Sequence, residues 1–322
     1  MTGWPPPSEA LGVSPLLRSI GPATVALGGG HGLSAVLEAA RSYAQRVTGV
    51  VTVADDGGSS GRLTTAMDIL PPGDMRKGLL ALSPDDTVWR RLFEHRFSDT
   101  DVAGHSLGNL ILAALTDELG DFERALLAAA HLLGARGRIL PVALESLRIR
   151  AVINDELVSG QVLVGRHRGR VQQLILEPEP TANPMVIEAI ESADQIVIGP
   201  GSLFTSVLSC LMVDGVAGAI DASPGEVVFV MNLITQDGET WGMTGLEHLE
   251  AFTEFSGIRR GGTLLVHEGQ VTTPDGVEAL EIDEAEAGRL GWKVHRADLS
   301  SESSEWPAHD PAKLTRALAS LA

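Results

Sequence analysis

The feature that most constrains the fold is an alternation of short apolar strands with amphipathic helices. ATVALGGG (23–30) has the pattern of a buried strand running into a glycine turn, and LSAVLEAARSYA (33–44) has the pattern of a helix with one apolar face. VTGVVTVADDGGSSG (47–61) then predicts a second buried strand that ends in a polar loop. Strands that are apolar along their length and joined through a helix indicate a parallel sheet.

The same alternation returns in the second half of the chain. We predict a helix at 183–193, a strand and loop at 195–202, a strand at 226–233, a helix at 246–255 and a strand at 262–269. Between the halves, four helices separated by Pro, Gly and Asp are predicted at 75–83, 85–97, 106–120 and 122–134. A segment of alternating apolar and polar residues at 147–178 predicts antiparallel hairpins.

These patterns predict one doubly wound α/β domain over residues 23–322 with a mostly parallel sheet. It carries a helical insertion at about 70–135 and an antiparallel β-hairpin insertion at about 140–178. Residues 1–22 are rich in Pro, Ser and Gly, which predicts a flexible N-terminal extension.

Composition argues against several classes of function. The formal net charge is −18 at pH 7, so the chain lacks the excess of Lys and Arg that neutralises nucleic-acid phosphates. The single cysteine, Cys210, cannot form an internal disulfide, and the nine histidines follow no zinc-binding spacing. No apolar run approaches the roughly 18 to 20 residues of a membrane span, and the N-terminus lacks the features of a secretory signal. We therefore expect a cytoplasmic protein.

Four loops follow predicted strands, where ligands of open α/β sheets bind. They are GGGHGLS (28–34), ADDGGSSGR (54–62), GPGSLFTS (199–206) and NLITQDGETWGMTG (232–245). In the first loop, Gly30, Gly32 and Ala35 fit the dinucleotide pattern G-x-G-x-x-G/A. By itself this pattern leaves three alternatives open: a dinucleotide site, another phosphate site, or a tight turn.

The second loop presents two adjacent acids, Asp55 and Asp56, which point to opposite sides if the backbone is extended. Either acid can bind a ribose hydroxyl or Mg²⁺, and the alternative is that they cap the next helix. Glycine loops after two adjacent strands would frame one phosphate-sized cleft.

LPPGDMRKGL (70–79) predicts a rigid turn, with Asp74 as the N-cap of a helix and Arg76 and Lys77 in its first turn. Cations at that end are unfavourable for the helix dipole, which favours a bound phosphate; the alternative is that they are solvated surface charges. The later GPGS turn (199–202) predicts a second anion contact through exposed backbone N–H groups and the Ser202 hydroxyl.

GHSLG (104–108) matches the G-x-S-x-G motif of serine hydrolases, but the polar stretch before it is not the strand that a nucleophile elbow requires. Ser106 is therefore predicted at a helix N-terminus, with Asn109 in the first turn. His105 is either a base or a packed polar residue. In the fourth loop, the side chains of Asn232, Thr235, Gln236, Glu239 and Thr240 are either base- or sugar-binding groups or part of a solvated loop.

Seven stretches, in this order, resemble the bacterial YvcK family, whose members are also called gluconeogenesis factors. They are GGGHGLS, VTVADDGGSSGRL, LPPGDMRKGL, FEHRF, GHSLGN, GPGSLFTS and NLITQDGET, and they span nearly the whole chain from Val25 onward. This family is related to CofD, the 2-phospho-L-lactate transferase of deazaflavin cofactor synthesis. The resemblance implies a three-layer α/β/α, Rossmann-like fold with a mostly parallel sheet.

The resemblance implies a cytoplasmic regulator that binds a nucleotide sugar, with UDP-N-acetylglucosamine as the expected ligand, and supports cell shape, envelope synthesis and gluconeogenic growth. It implies protein partners in envelope synthesis, and it leaves the oligomeric state open, a homo-oligomer included. The ligand contacts carried over by position are Gly29, Gly30, Gly32, Leu33, Asp55, Asp56, Gly57, Gly58, Asp74, Arg76, Asn109, Gly201 and Ser202, with His31 among them in the first loop. Three positions depart from the family pattern: His31 replaces a threonine, Lys77 an asparagine and Met243 a tyrosine.

The main alternative is a CofD-like transferase, which needs a nucleotide-activated phospholactate donor, a bound metal and a second pocket for a flavin-like acceptor. The motif ADDGGSSGR follows the YvcK pattern rather than the shorter glycine–aspartate version of CofD. This favours a nucleotide-sugar-binding protein over a transferase. An NAD-dependent dehydrogenase lacks an evident hydride-transfer constellation, and the hydrolase lacks its strand.

Overall fold

We describe a computed structural model of the chain that covers residues 21–99, 101–302 and 306–322. The extension predicted at residues 1–22 lies outside the described residues, apart from its last two. None of the helices in these ranges is both long and apolar enough to cross a bilayer.

The strands form two separate sheets. They are β1 (Ala23–Gly28), β2 (Arg46–Val51), β3 (Arg138–Pro141), β4 (Arg148–Ile153), β5 (Glu156–Ser159), β6 (Val171–Glu177), β7 (Gln195–Ile198), β8 (Glu226–Val230), β9 (Gly262–His267) and β10 (Trp292–Ala297). Seven strands form a parallel sheet in the order β10-β9-β8-β7-β1-β2-β3. The other three form an antiparallel sheet in the order β5-β4-β6. Both predicted sheet types are confirmed.

Helices connect the strands of the parallel sheet and form the segment after β2. They are α1 (Gly30–Tyr43), α2 (Gly58–Met67), α3 (Pro72–Ala81), α4 (Val88–Glu94), α5 (Leu107–Leu119), α6 (Phe122–Leu133), α7 (Gln161–Arg166), α8 (Pro184–Glu191), α9 (Ser209–Leu211), α10 (Val216–Ala222), α11 (Gly245–Ser256), α12 (Glu284–Arg289) and α13 (Pro311–Ala319). A π-helical segment, Leu203–Leu208, leads directly into α9.

The strand order reverses between β1 and β7. From β1 the chain builds outward through β2 to β3, and from β7 it builds in the opposite direction through β8 and β9 to β10. Because parallel crossovers are right-handed, the two directions place their helices on opposite faces of the sheet. The carboxyl ends of β1 and β7 lie side by side at the reversal, with Leu27 paired with Ile198. This is the place where open α/β sheets bind ligands.

Several element boundaries differ from the sequence prediction. The helical segment starts at Gly58 rather than at about residue 70, because the second glycine loop opens directly into α2. β3 joins the main sheet between the two predicted insertions, and its four residues are too few for a periodic pattern to reveal it. β10 and α13 were also missed. α13 packs against α1, where the Thr315 hydroxyl donates to the carbonyl of Ala39 at 3.3 Å.

Local chemistry sets the ends of α5. The Ser106 hydroxyl accepts a hydrogen bond from the backbone N–H of Asn109, and Gly120 ends the helix with a left-handed φ of 65°. Such a cap contributes about 0.5–2 kcal/mol. The predicted position of Ser106 at a helix N-terminus is confirmed. Ser106 is fully buried and follows only an isolated bridge to Arg96, so the G-x-S-x-G match is not a nucleophile elbow.

Candidate functional site

A cavity of about 310 Å³ lies at the carboxyl ends of β1 and β7. It is lined by Gly29, Gly30, His31, Gly32, Asp55, Asp74, Lys77, Gln161, Gly201, Ser202, Ser206 and Gln236. All four predicted loops contribute to this lining, the second through Asp55 and the fourth through Gln236. The remaining lining residues are Asp74 and Lys77 from α3 and Gln161, the first residue of α7.

The two glycine turns at the strand reversal touch each other through their backbones. A Cβ atom added to Gly32 would overlap the carbonyl oxygen of Pro200, so only glycine fits between the turns. Gly30 has a left-handed φ of +65°, and an added Cβ would meet no atom within 4 Å. Gly30 therefore faces open space, and backbone atoms form this wall of the cavity.

A carboxylate of the protein occupies part of the α1 N-terminus. The Asp74 Oδ2 atom accepts from the backbone N–H of Gly30 at 2.8 Å, and its Oδ1 atom accepts from Lys77 Nζ at 2.9 Å. The prediction of Asp74 as an N-cap is wrong, because α3 starts at Pro72 and Pro71 is its cap. The N–H groups of His31 and Gly32 lie in the first turn of α1, where a helix provides no internal acceptor.

The two adjacent acids of the second loop have different surroundings. Asp55 lines the cavity, and its Oδ1 atom accepts from the backbone N–H of Gly57 at 3.0 Å. Asp56 points to the N-terminus of α7, where its carboxylate accepts from the N–H groups of Gln161 and Val162 at 2.9 and 3.1 Å. Asp56 therefore caps α7, and Asp55 is the acid that faces the cavity.

Charges are crowded around this cavity. Burial raises the pKa of Asp55, and the neighbouring Asp74 carboxylate raises it further. Partial burial lowers the pKa of His31, and the positive charge of Lys77 lowers it further, which favours the neutral imidazole. Mg²⁺ commonly binds one or two carboxylates together with ligand phosphates, so Asp55 and Asp74 fit such an ion. The described residues contain no cluster of three or more metal-binding side chains.

Arg76 and Asn109 lie apart from the residues that line the cavity. Arg76 is buried, with Nε donating to Asn109 Oδ1 at 2.9 Å and Nη1 donating to the carbonyl of Phe93 at 3.2 Å. The interpretation of Arg76 as a solvated surface charge is wrong. Its guanidinium lies outside the cavity lining and ties α3 to the α4–α5 region through these two hydrogen bonds.

Leu33, Gly57 and Gly58 also lie outside the cavity lining. The Leu33 side chain is in the hydrophobic core, and its N–H donates to the carbonyl of Gly29 at 3.4 Å. Gly57 is the N-cap of α2, and Gly58, with a φ of +48°, begins this helix beside open space. These glycines therefore bring Asp55 to the cavity and start α2.

The second glycine turn is held by its neighbours. The Asn232 side chain donates to the carbonyl of Gly201 at 2.8 Å and accepts from the Gly201 N–H at 3.0 Å. Glu239 Oε2 accepts from the backbone N–H of Thr205, at the start of the π-helical segment, at 3.1 Å. The expectation of exposed N–H groups for a second anion is therefore wrong at these positions. Gly201 and Ser202 still line the cavity.

Glu239 is a buried acid that the sequence pattern did not single out as unusual. Its side chain is almost fully buried, and no hydrogen-bond partner for Oε1 is found among the described residues. Burial raises its pKa to about 7, although the backbone N–H groups at the start of the π-helical segment oppose that rise. Thr235 and Thr240 of the same loop are also buried, so the loop is not simply solvated. Only Gln236 of this loop lines the cavity, and its Nε2 donates to Ser202 Oγ at 3.2 Å.

Comparison with known proteins identifies the family. Residues 24–300 match the family described as "2-phospho-L-lactate transferase CofD". The gluconeogenesis factor of Halalkalibacterium halodurans is 37% identical over 305 residues, which cover 91% of this chain and 94% of that protein. The gluconeogenesis factor of Bacillus subtilis is 36% identical over 312 residues, covering 93% and 98%. The chain belongs to the YvcK family of gluconeogenesis factors, within the CofD family.

The fold of this YvcK family member also matches a solved structure. The crystal structure of protein BH3568 from Bacillus halodurans superposes with a TM-score of 0.86 at 36% identity, covering 92% of this chain and 98% of that one. The residues that depart from the YvcK pattern lie in two places. His31 and Lys77 line the cavity at the strand reversal, whereas Met243 lines a separate cavity beside α11. Met243 is therefore not positioned to replace an aromatic contact in the first cavity.

Proposed function

We propose that this chain binds a nucleotide sugar of the UDP-N-acetylglucosamine type in the cavity at the strand reversal. The observation that carries the proposal is the meeting of the α1 N-terminus, Lys77 and the Ser202 hydroxyl around one opening. Free N–H groups at a helix start and a nearby ammonium suit the two negative charges of a diphosphate.

The size of the ligand favours use of a neighbouring cavity as well. A second cavity of about 450 Å³ shares Asp55 with the first and is also lined by Asp56, Thr64, Ser146 and Arg148. Binding sites for small molecules usually measure about 300–1,000 Å³. With the diphosphate beside Lys77, one end of an extended nucleotide sugar would pass Asp55 into this second space. Asp55 and Asp74 would hold Mg²⁺ against the diphosphate if the ion is required.

Thermal unfolding with candidate ligands tests this function. UDP-N-acetylglucosamine is expected to raise the Tm more than GDP or NAD at equal concentration, because the ligand with the lowest Kd stabilises the folded state most. A ligand at 100 times its Kd adds about 2.7 kcal/mol to the free energy of unfolding. Lys77→Met should weaken this response about tenfold in Kd, whereas Lys293→Met, an exposed lysine on β10, should not. No shift at millimolar UDP-N-acetylglucosamine would contradict the proposal.

The proposed biological role is regulation of cell shape, envelope synthesis and gluconeogenic growth through partner proteins. Two relatives are named gluconeogenesis factors, which supports a role in gluconeogenic growth. In a strain that lacks its own family member, this chain should restore growth on a gluconeogenic carbon source. The Lys77→Met variant should restore growth poorly at an equal protein level. Equal growth with this variant would mean that the role in growth does not depend on ligand binding.

A CofD-like transferase is the second candidate, and the pair of Asp55 and Asp74 at one cavity is the observation that favours it. Two close carboxylates suit a metal that activates a phosphate. The test combines a nucleotide-activated phospholactate donor, a deazaflavin acceptor and Mg²⁺. Turnover that disappears in Asp55→Asn would favour this candidate over binding alone, and absence of turnover would remove it.

A further inference from the structure

A serine and a histidine form a close pair behind the second glycine loop. Ser59 Oγ lies 3.0 Å from His105 Nδ1, which is hydrogen-bond distance. Ser59 is in the first turn of α2, and His105 comes from the loop before α5. Neither residue lines the proposed ligand cavity or has a role in the proposed binding. Sequence motifs did not connect them, because 46 positions separate them along the chain.

The neighbouring hydrogen bonds orient the Ser59 hydroxyl. Arg76 Nε can only donate, so its 2.9 Å contact identifies the other atom as Asn109 Oδ1. The Asn109 Nδ2 group must then face Ser59 Oγ, to which it donates at 3.1 Å. This bond leaves the Ser59 hydroxyl proton available to His105 Nδ1. In the neutral tautomer that carries its proton on Nε2, His105 Nδ1 accepts a hydrogen bond from Ser59.

This network is held rigidly on the Arg76 side. Arg76 Nη1 donates to the carbonyl of Phe93, and a Cβ atom added to Gly108 would lie 2.6 Å from Arg76 Cδ. Asn109 is almost fully buried and sits one helical turn after its N-cap Ser106. The amide that orients Ser59 is thus fixed by packing as well as by hydrogen bonds.

The electrostatics favour a neutral base at His105. Desolvation lowers the pKa of His105, and the positive charge of Arg62 lowers it further. Arg76 and Arg96 are the other cations on the elements packed around the pair, and Asp74 and Glu94 are the acids near Arg76. The partial positive charge at the N-terminus of α2 would stabilise negative charge on Ser59 Oγ.

We propose that Ser59 is a nucleophile activated by His105 and that its substrate class is an electrophilic phosphoric ester or anhydride. In the step, Ser59 Oγ attacks phosphorus and forms an O–P bond while the bond from phosphorus to its leaving oxygen breaks. The Ser59 proton moves to His105 Nδ1, and the leaving group departs with the electron pair. A substrate would approach from the side of Gly58, which is exposed, and of His105, which is partly exposed. A nucleophile within hydrogen-bond reach of its base is a requirement of this kind of covalent catalysis, and here Asn109 orients the nucleophile.

Labelling of the intact chain with phenylmethanesulfonyl fluoride tests the pair. Ser59 Oγ would form an O–S bond at the tetrahedral sulfur, fluoride would leave, and peptide mass spectrometry would locate the adduct. Ser98 is an internal control, because it is exposed and its hydroxyl donates to the Asp99 carboxylate at 3.1 Å without a histidine base. Ser59 itself is only 7% exposed. We expect one adduct, on Ser59, before any on Ser98.

Two variants and a pH profile separate activation from a structural role. Ser59→Ala should abolish the adduct, and His105→Gln should slow it at least about 100-fold while circular dichroism remains unchanged. In the unsubstituted protein, the labelling rate should fall as the pH drops through the pKa of His105, which desolvation and Arg62 place below the ordinary histidine value of about 6.5. Equal labelling in His105→Gln, a flat pH profile, or labelling of Ser98 first would overturn the proposal. The probe contains no nucleotide, so failure here leaves nucleotide-sugar binding untouched, and the reverse also holds.

Discussion

The two helical segments that start at the strand reversal have the same position in the fold but different electrostatics. Each meets a carboxylate of the protein: Asp74 at the start of α1 and Glu239 at the start of the π-helical segment. Asp74 is paired with Lys77 and lines the cavity. Glu239 is buried and has a raised pKa, and no cation among the described residues contributes to that pKa. The carboxylate at the first segment therefore borders the cavity, whereas the one at the second is enclosed in the protein.

This difference explains why a phosphate pattern in the sequence does not by itself locate a phosphate. N–H groups at a helix start attract any anion, including a side chain of the same protein. At Thr205 that side chain comes from 34 residues further along the chain. We therefore expect the ligand to lie toward α1, with Gly201 and Ser202 as its opposite wall.

The largest effect should come from breaking the contact between the two turns. Gly32→Ala places a Cβ on the carbonyl of Pro200, and the backbone must shift because no flexible side chain is there to move. We expect a loss of about 4 kcal/mol in the free energy of unfolding, measured by urea denaturation. A loss below about 1 kcal/mol would show that the turns can separate freely.

The next effect concerns the second segment and depends on pH. Glu239 has its pKa raised from 4.5 to about 7 in the folded state, so the native protein retains a proton that the unfolded chain releases. The free energy of unfolding should therefore decrease as the pH rises from about 4.5 to about 7, by about 3 kcal/mol. Glu239→Gln should remove this part of the pH dependence and match or exceed the original stability at pH 8. Glu250→Gln, an exposed glutamate on α11, should retain the decrease.

A smaller effect should distinguish the two acids of the second loop. With Mg²⁺ present, Asp55→Asn should weaken UDP-N-acetylglucosamine binding about tenfold, which is about 1.4 kcal/mol, by titration calorimetry. Without Mg²⁺ the difference should shrink. Asp56→Ala should instead lower the free energy of unfolding by about 1 kcal/mol, because it removes the cap of α7. A reversed pattern would mean that Asp56, rather than Asp55, binds the ligand or its metal ion.

The smallest effect is expected at Gly30. Gly30→Ala forces a side chain into a left-handed conformation that costs about 1 kcal/mol, and the new methyl group enters open space. Stability should fall by this amount, with ligand affinity reduced by the occupied volume. Comparison with Gly32→Ala then separates backbone strain from contact between the turns, and equal losses would contradict the assigned geometry.

Several parts of this picture follow from local sequence. The strand at Ala23–Gly28, the helix after it and the resumption at Gln195 are visible because their apolar residues recur at the periods of strand and helix. The capping role of Ser106 follows from hydrogen bonding within one turn. The side-chain directions of the adjacent acids Asp55 and Asp56 do not follow from local sequence. They depend on the α7 N-terminus, which lies more than 100 positions away along the chain.

The sequence alone determined the alternating α/β architecture, the parallel strands, the glycine turn before α1 and membership of a family through ordered motifs, because each depends on short-range periodicity or on residue order. Tertiary structure alone decided which groups meet. It placed the Asp74 carboxylate on the N–H of Gly30 and the Glu239 carboxylate on the N–H of Thr205. It also directed Arg76 to Asn109, outside the cavity lining, and brought Ser59 within hydrogen-bond distance of His105. Those contacts arise from packing between distant segments, and burial rather than residue type then sets their charge and chemistry.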